Sequence, residues 1–177
     1  MKAIARTLVA IALGASVALA SPMSWAADPP KKNWKAPSQK IHGQTLVDEQ
    51  MAKHKDLLSV TLHGVPPGEK DTYTMFAGSY PDRIGNPDDP DDIDVTKKGI
   101  TILDPRWKRP DDKDKKFVVL MPMRDAKGEN IGLVVYAFKN PPKSSGMEEH
   151  YLKESSKLRD DLAKKIPSYK ALFDPAK

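Results

Sequence analysis

Phe117-Val118-Val119-Leu120-Met121-Pro122-Met123 is followed by Arg124-Asp125-Ala126-Lys127-Gly128-Glu129-Asn130 and then by Ile131-Gly132-Leu133-Val134-Val135-Tyr136-Ala137-Phe138. Two apolar runs rich in β-branched and aromatic residues, joined by a polar stretch that contains a glycine, predict an antiparallel hairpin. Side chains alternate across a strand, so Phe117, Val119 and Met121 share one face while Val118 and Leu120 take the other. Both sets are apolar. The hairpin therefore belongs to a sheet that is covered on both faces, rather than one with a solvated side.

Working outward, Leu58, Val60 and Leu62 alternate with Ser59, Thr61 and His63, which predicts a strand with one apolar face. Val65-Pro66-Pro67-Gly68 ends it, and a second strand is expected over Thr72 to Ala77, closed by Gly78. A short strand is expected at Thr101 to Leu103. Thr45 to His54 carries Thr45 as a cap with Asp48 three residues on, and Leu46, Val47 and Met51 fall near one helical face. Met147 to Ile166 places Tyr151, Leu158 and Leu162 on one side among many charges and stops before Pro167, the pattern of a surface helix docked by one stripe.

Six aspartates lie between Asp82 and Gly99, and Asp88-Asp89-Pro90-Asp91-Asp92-Ile93-Asp94 invites a calcium-loop reading. The spacing is wrong for one. An EF-hand loop needs ligands at alternate positions, a glycine at the sixth and a closing glutamate, and here two prolines interrupt. Capping rules account for the same residues: Asp89 caps, Pro90 takes the first helical position, Asp91 and Asp92 favour the positive helix end, and Gly99 stops the helix.

At the amino terminus, Lys2 and Arg6 precede the apolar run Leu8 to Ala20, and no acidic residue occurs before Asp28. That is the pattern of a cleavable secretory signal, and the run falls short of the roughly 20 residues that span a bilayer. Ser24-Trp25-Ala26 places small residues for cleavage after Ala26; Ala18-Leu19-Ala20 is a rival site. The expected organisation is a signal peptide over 1–26, a flexible Pro- and Lys-rich tether over 27–43, and one domain over 44–177, located in the periplasm with no stable membrane insertion after cleavage. Loss of Lys2 and Arg6 lowers the net charge from +5 to +3. So mild a balance, with Lys and Asp intermixed, excludes a nucleic-acid patch. The chain has no cysteine, so no disulfide assists the core.

In order, the elements describe an α+β domain: an antiparallel sheet with amino- and carboxy-terminal helices packed on one face. The connection from Tyr80 to Lys116 is left to cover the other, and a long connection arched over a sheet is one way to form a ligand cavity. The residues Ala77-Gly78-Ser79, Arg83-Ile84-Gly85-Asn86, Asp92-Ile93-Asp94-Val95 to Gly99, Val119 to Gly128 and Ile131-Gly132 resemble small periplasmic PAS-like domains of the Cache type, over about Gln44 to Ile166. The resemblance implies a long first helix, a central antiparallel sheet and a small-molecule pocket. Tyr80-Pro81-Asp82 and Asp104 to Lys116 depart from it and look like insertions in the cavity's cover.

No Gly-x-Ser-x-Gly elbow and no metal-ligand spacing are present. His42, His54, His63 and His150 include no pair three or four residues apart, so they are expected to be surface or packing residues, with no metal and no cofactor. Two functions fit. The first is a small-molecule-binding or sensory domain without catalysis, in which Tyr73 and Met75 on the second strand, Arg83 at the rim and Trp107 in the cover contact a small anionic ligand. The second is a ligand-free structural or interaction module that binds another envelope protein.

Overall fold

The structure, a computed structural model, describes residues 30–104, 116–139 and 147–176. The proposed signal peptide and Trp107 lie outside these residues. Five strands form one antiparallel sheet: β1 (Leu57–Gly64), β2 (Thr74–Gly78), β3 (Ile102–Leu103), β4 (Lys116–Arg124) and β5 (Asn130–Lys139). Their spatial order is β2-β1-β5-β4-β3. With helices α1 (His42–Lys53), α2 (Pro90–Lys98) and α3 (Glu148–Ala163), this is an α+β fold built on one antiparallel sheet. The hairpin is the expected one, with Phe117 opposite Phe138 and Leu120 opposite Val135.

The two faces separate as the alternation requires. Val60 and Leu62 of β1, Phe117, Val119 and Met121 of β4, and Val134 and Tyr136 of β5 pack under α1 and α3, which contribute Leu46, Val47, Tyr151, Leu158 and Leu162. Phe117 stacks on Tyr151 with ring centroids 4.5 Å apart. The Gln50 side-chain amide donates to the Leu158 carbonyl at 2.9 Å and ties the two helices together. On the opposite face, Val118, Leu120, Leu133 and Ala137 pack against Val95 of α2. The second face is thus covered in part by a helix within the long connection, while residues 105–115 fall outside the described segments.

Helix α2 forms for the reasons its sequence supplies. Asp89 is the N-cap, Pro90 opens the helix, and Asp92 completes a capping box by accepting the Asp89 N–H at 3.2 Å. Gly99 ends it in the left-handed conformation, φ 67°. Helix α1 begins three residues before the expected Thr45 and has 12 residues, so the long first helix implied by the resemblance is absent from the described chain.

The stretch that reads as a tether makes specific contacts. The Asn33 and Trp34 N–H groups both donate to the Gly85 carbonyl. Gly85 sits at φ +89°, and a Cβ there would stand 2.2 Å from the Trp34 carbonyl oxygen, so glycine is required twice over. The Trp34 ring meets Phe173 edge-on, with centroids 6.3 Å apart.

Candidate functional site

Edge strand β2 is not left open. Residues 85–88 run beside it: Met75 N–H donates to the Asn86 carbonyl at 3.1 Å, Gly85 N–H to the Met75 carbonyl at 2.8 Å, and Asp88 N–H to the Tyr73 carbonyl at 3.1 Å. The Thr74 hydroxyl adds a bond to the Asn86 carbonyl at 2.8 Å. This pairing shields the edge, as isolated edges require. It also fixes the segment that follows Arg83 and ends at Asp88.

Thr61 and His63 lie two residues apart on β1, alternating with Val60 and Leu62, and so project toward α2. His63 Nδ1 lies 2.7 Å from Asp88 Oδ1, and its Nε2 lies 2.7 Å from Thr61 Oγ1. Asp92, in the first turn of α2, brings Oδ2 to 4.0 Å from the same Nδ1. The site is enclosed: the side chains of His63, Asp88 and Asp92 are 10%, 0% and 16% exposed. Asp88 Oδ2 is buried with no hydrogen-bond partner among the described residues.

Burial alone would lower the His63 pKa, but the hydrogen bond His63 donates to Asp88 and the charges of Asp88 and Asp92 outweigh it and raise the value, against the opposing charge of Arg83. The Asp92 carboxyl is also raised, by burial first and then by the neighbouring Asp88 and Asp89 charges, with His63 acting the other way. Two buried carboxylates thus share one imidazole. Such a group can hold a proton or a cation in a place that water hardly reaches.

Tyr73 and Met75 pair through their backbones with the loop that carries Asp88, and the charge of Arg83 reaches His63. The Tyr73 ring carries Lys97 Nζ of α2 at 5.0 Å from its centroid. Met75 is 3% exposed, and its thioether and the Thr61 methyl both crowd the space above Gly78. Arg83 is exposed on a short 3-10 turn, Pro81–Arg83, with its guanidinium 5.6 Å from the Tyr80 ring centroid. Among the described residues no carboxylate pairs with it, although six aspartates lie between Asp82 and Gly99. Trp107 belongs to residues outside the described structure.

Local spacing discounts His63 as a ligand and assigns Asp89 to Asp92 to helix capping, so the sequence does not bring His63, Asp88 and Asp92 together. The available signal was the Thr61/His63 pair on the polar side of β1. It paired with an aspartate 25 residues away, which no local spacing rule reaches.

No protein-family model and no curated protein matches the chain. Among solved structures, it is similar to a type II free methionine-R-sulfoxide reductase from Thermoplasma acidophilum, at 15% identity and TM-score 0.43 over 70% of this chain and 90% of that one. It is also similar to the blue-light absorbing form of the Thermosynechococcus elongatus PixJ GAF-domain, at 13% identity and TM-score 0.45 over 70% of this chain and 82% of that one.

Proposed function

We propose that this chain is a periplasmic small-molecule-binding or sensory domain of the Cache type, acting by binding without catalysis, and that its ligand is a small carboxylate held beside β2 and α2. One observation carries the reading. Arg83 presents a guanidinium with no carboxylate partner among the described residues, at the rim of a cluster whose other members are buried and polar. A guanidinium holds a carboxylate through two parallel hydrogen bonds, fixing orientation as well as charge. The Tyr80 ring beneath it keeps the planar group in place. Tyr73 supplies an aromatic surface next to the same loop, whereas Met75, expected as a contact, is buried and offers none. Export by a cleaved signal peptide accounts for the basic, apolar start of the chain. Among the described residues no helix is long and apolar enough to cross a membrane.

A thermal-shift screen of small carboxylates against the mature protein, repeated with Arg83→Ala, tests the assignment. A ligand at a hundred times its dissociation constant stabilises by about 2.7 kcal/mol, which a melt detects. A hit that shifts the wild type and not the variant supports the reading. If no carboxylate shifts the wild type, or the variant responds equally, the ligand-free interaction module takes its place.

A further inference from the structure

We infer that His63, Asp88 and Asp92 form a binding site for a divalent cation of the zinc type, distinct from the anion contact at Arg83. The geometry points to it in three ways. One potential ligand atom from each residue, His63 Nδ1 and a carboxylate oxygen from each aspartate, falls within 4.8 Å of the others. Tetrahedral coordination with bonds of about 2.0–2.2 Å places ligand atoms roughly 3.3 Å apart, and the observed separations of 2.7 and 4.0 Å from Nδ1 straddle that value. A cation entering between them displaces the shared proton and needs only small side-chain shifts.

The second indication is Asp88 itself. Its side chain has no exposed surface, yet Oδ2 has no partner among the described residues. A buried carboxylate oxygen without a hydrogen bond is costly. Coordination through both oxygens of Asp88 would satisfy it.

The third is the support around the imidazole. A metal-bound histidine nearly always donates its other ring N–H to a fixed acceptor, which sets the tautomer. With Nδ1 on the metal, His63 Nε2–H donates to Thr61 Oγ1 at 2.7 Å. Strand β1 holds both side chains, and Asp92 is held by the Asp89 N–H at 3.2 Å. One imidazole with two carboxylates suits zinc, whereas calcium takes six to eight oxygen ligands and finds too few here. Helical spacing of histidines does not apply to this set, whose members come from a strand, a loop and a helix.

The test is a calorimetric titration of Zn2+ into chelator-stripped mature protein, with Ca2+ as a parallel arm. The expected result is one saturable Zn2+ site and no Ca2+ site. Asp92→Asn is expected to weaken Zn2+ at least tenfold, while a variant with His42, His54 and His150 all changed to Gln binds as the wild type does. His63→Gln should abolish the site; because it alters a buried residue, Asp92→Asn and the triple variant decide the matter if it does not fold. No Zn2+ binding to the wild type, unchanged binding to Asp92→Asn, or loss of binding in the triple variant each overturns the proposal. A carboxylate response without Zn2+ binding overturns this inference alone, and Zn2+ binding without a carboxylate response overturns only the anion reading.

Discussion

His63 Nδ1, near the end of β1, stands 2.7 Å from Oδ1 of Asp88, just before α2, with both side chains withdrawn from solvent. The bond joins β1 to the loop that also hydrogen-bonds along β2. It therefore holds α2 over the second face of the sheet.

Removing one partner of a buried pair leaves the other uncompensated, which typically costs about 3 to 5 kcal/mol. Asp88→Ala is expected to lose stability in that range by urea denaturation. A loss below about 1 kcal/mol would mean that the pair is solvated in solution.

Phe117 is fully buried and stacked on Tyr151, so Phe117→Ala is expected to cost about 3 to 5 kcal/mol by removing core volume. Leu152, on the outer side of the same helix as Tyr151, is 37% exposed. Leu152→Ala should stay within about 0.5 kcal/mol of wild type. Equal effects of the two, measured in one denaturation series, would contradict the docking of α3 by a single stripe.

Much of this was legible in the sequence, and the reasons are local. The hairpin Phe117 to Phe138 announces its strands by composition and both its faces by alternation, and the structure pairs Phe117 with Phe138. Asp89, Pro90 and Gly99 mark α2 because capping acts within one turn. The docking of Trp34 on Gly85 was not legible: Pro and Lys suggest a solvated tether, and only the positive φ of Gly85 reveals that a backbone passes over it. The His63 cluster was hidden for the same reason, since its partners meet only when β1 and α2 pack together.

Gly85→Ala is expected to destabilise the protein by at least about 1 kcal/mol from backbone strain alone, with more from the 2.2 Å clash with Trp34. Trp34 should become more exposed, shifting tryptophan fluorescence to the red and increasing iodide quenching. Unchanged emission and quenching would show that residues 33–34 do not rest on this loop in solution.

Glu49 of α1 accepts a hydrogen bond from Lys165 beyond α3, which with its charge lowers the Glu49 pKa below the usual 4.5 despite the opposing effect of burial. A lowered folded-state pKa gives stability that is present above the unfolded value and is lost as pH falls through the folded one. The pair is half exposed, so Glu49→Gln is expected to cost less than about 1 kcal/mol at pH 7, and the gap from wild type should narrow as pH falls below the ordinary glutamate range. Thermal melts from pH 3 to 7 read both; a gap that widens on acidification would reverse the assigned sign.

The binding account is tested most directly by an amide-resolved NMR titration of the mature protein with a panel of small carboxylates. The account predicts saturable shifts concentrated in residues 73–88 and at the start of α2, absent in Arg83→Ala. Shifts confined to the α1 and α3 side of the sheet, or no saturable shift with any member of the panel, would contradict it.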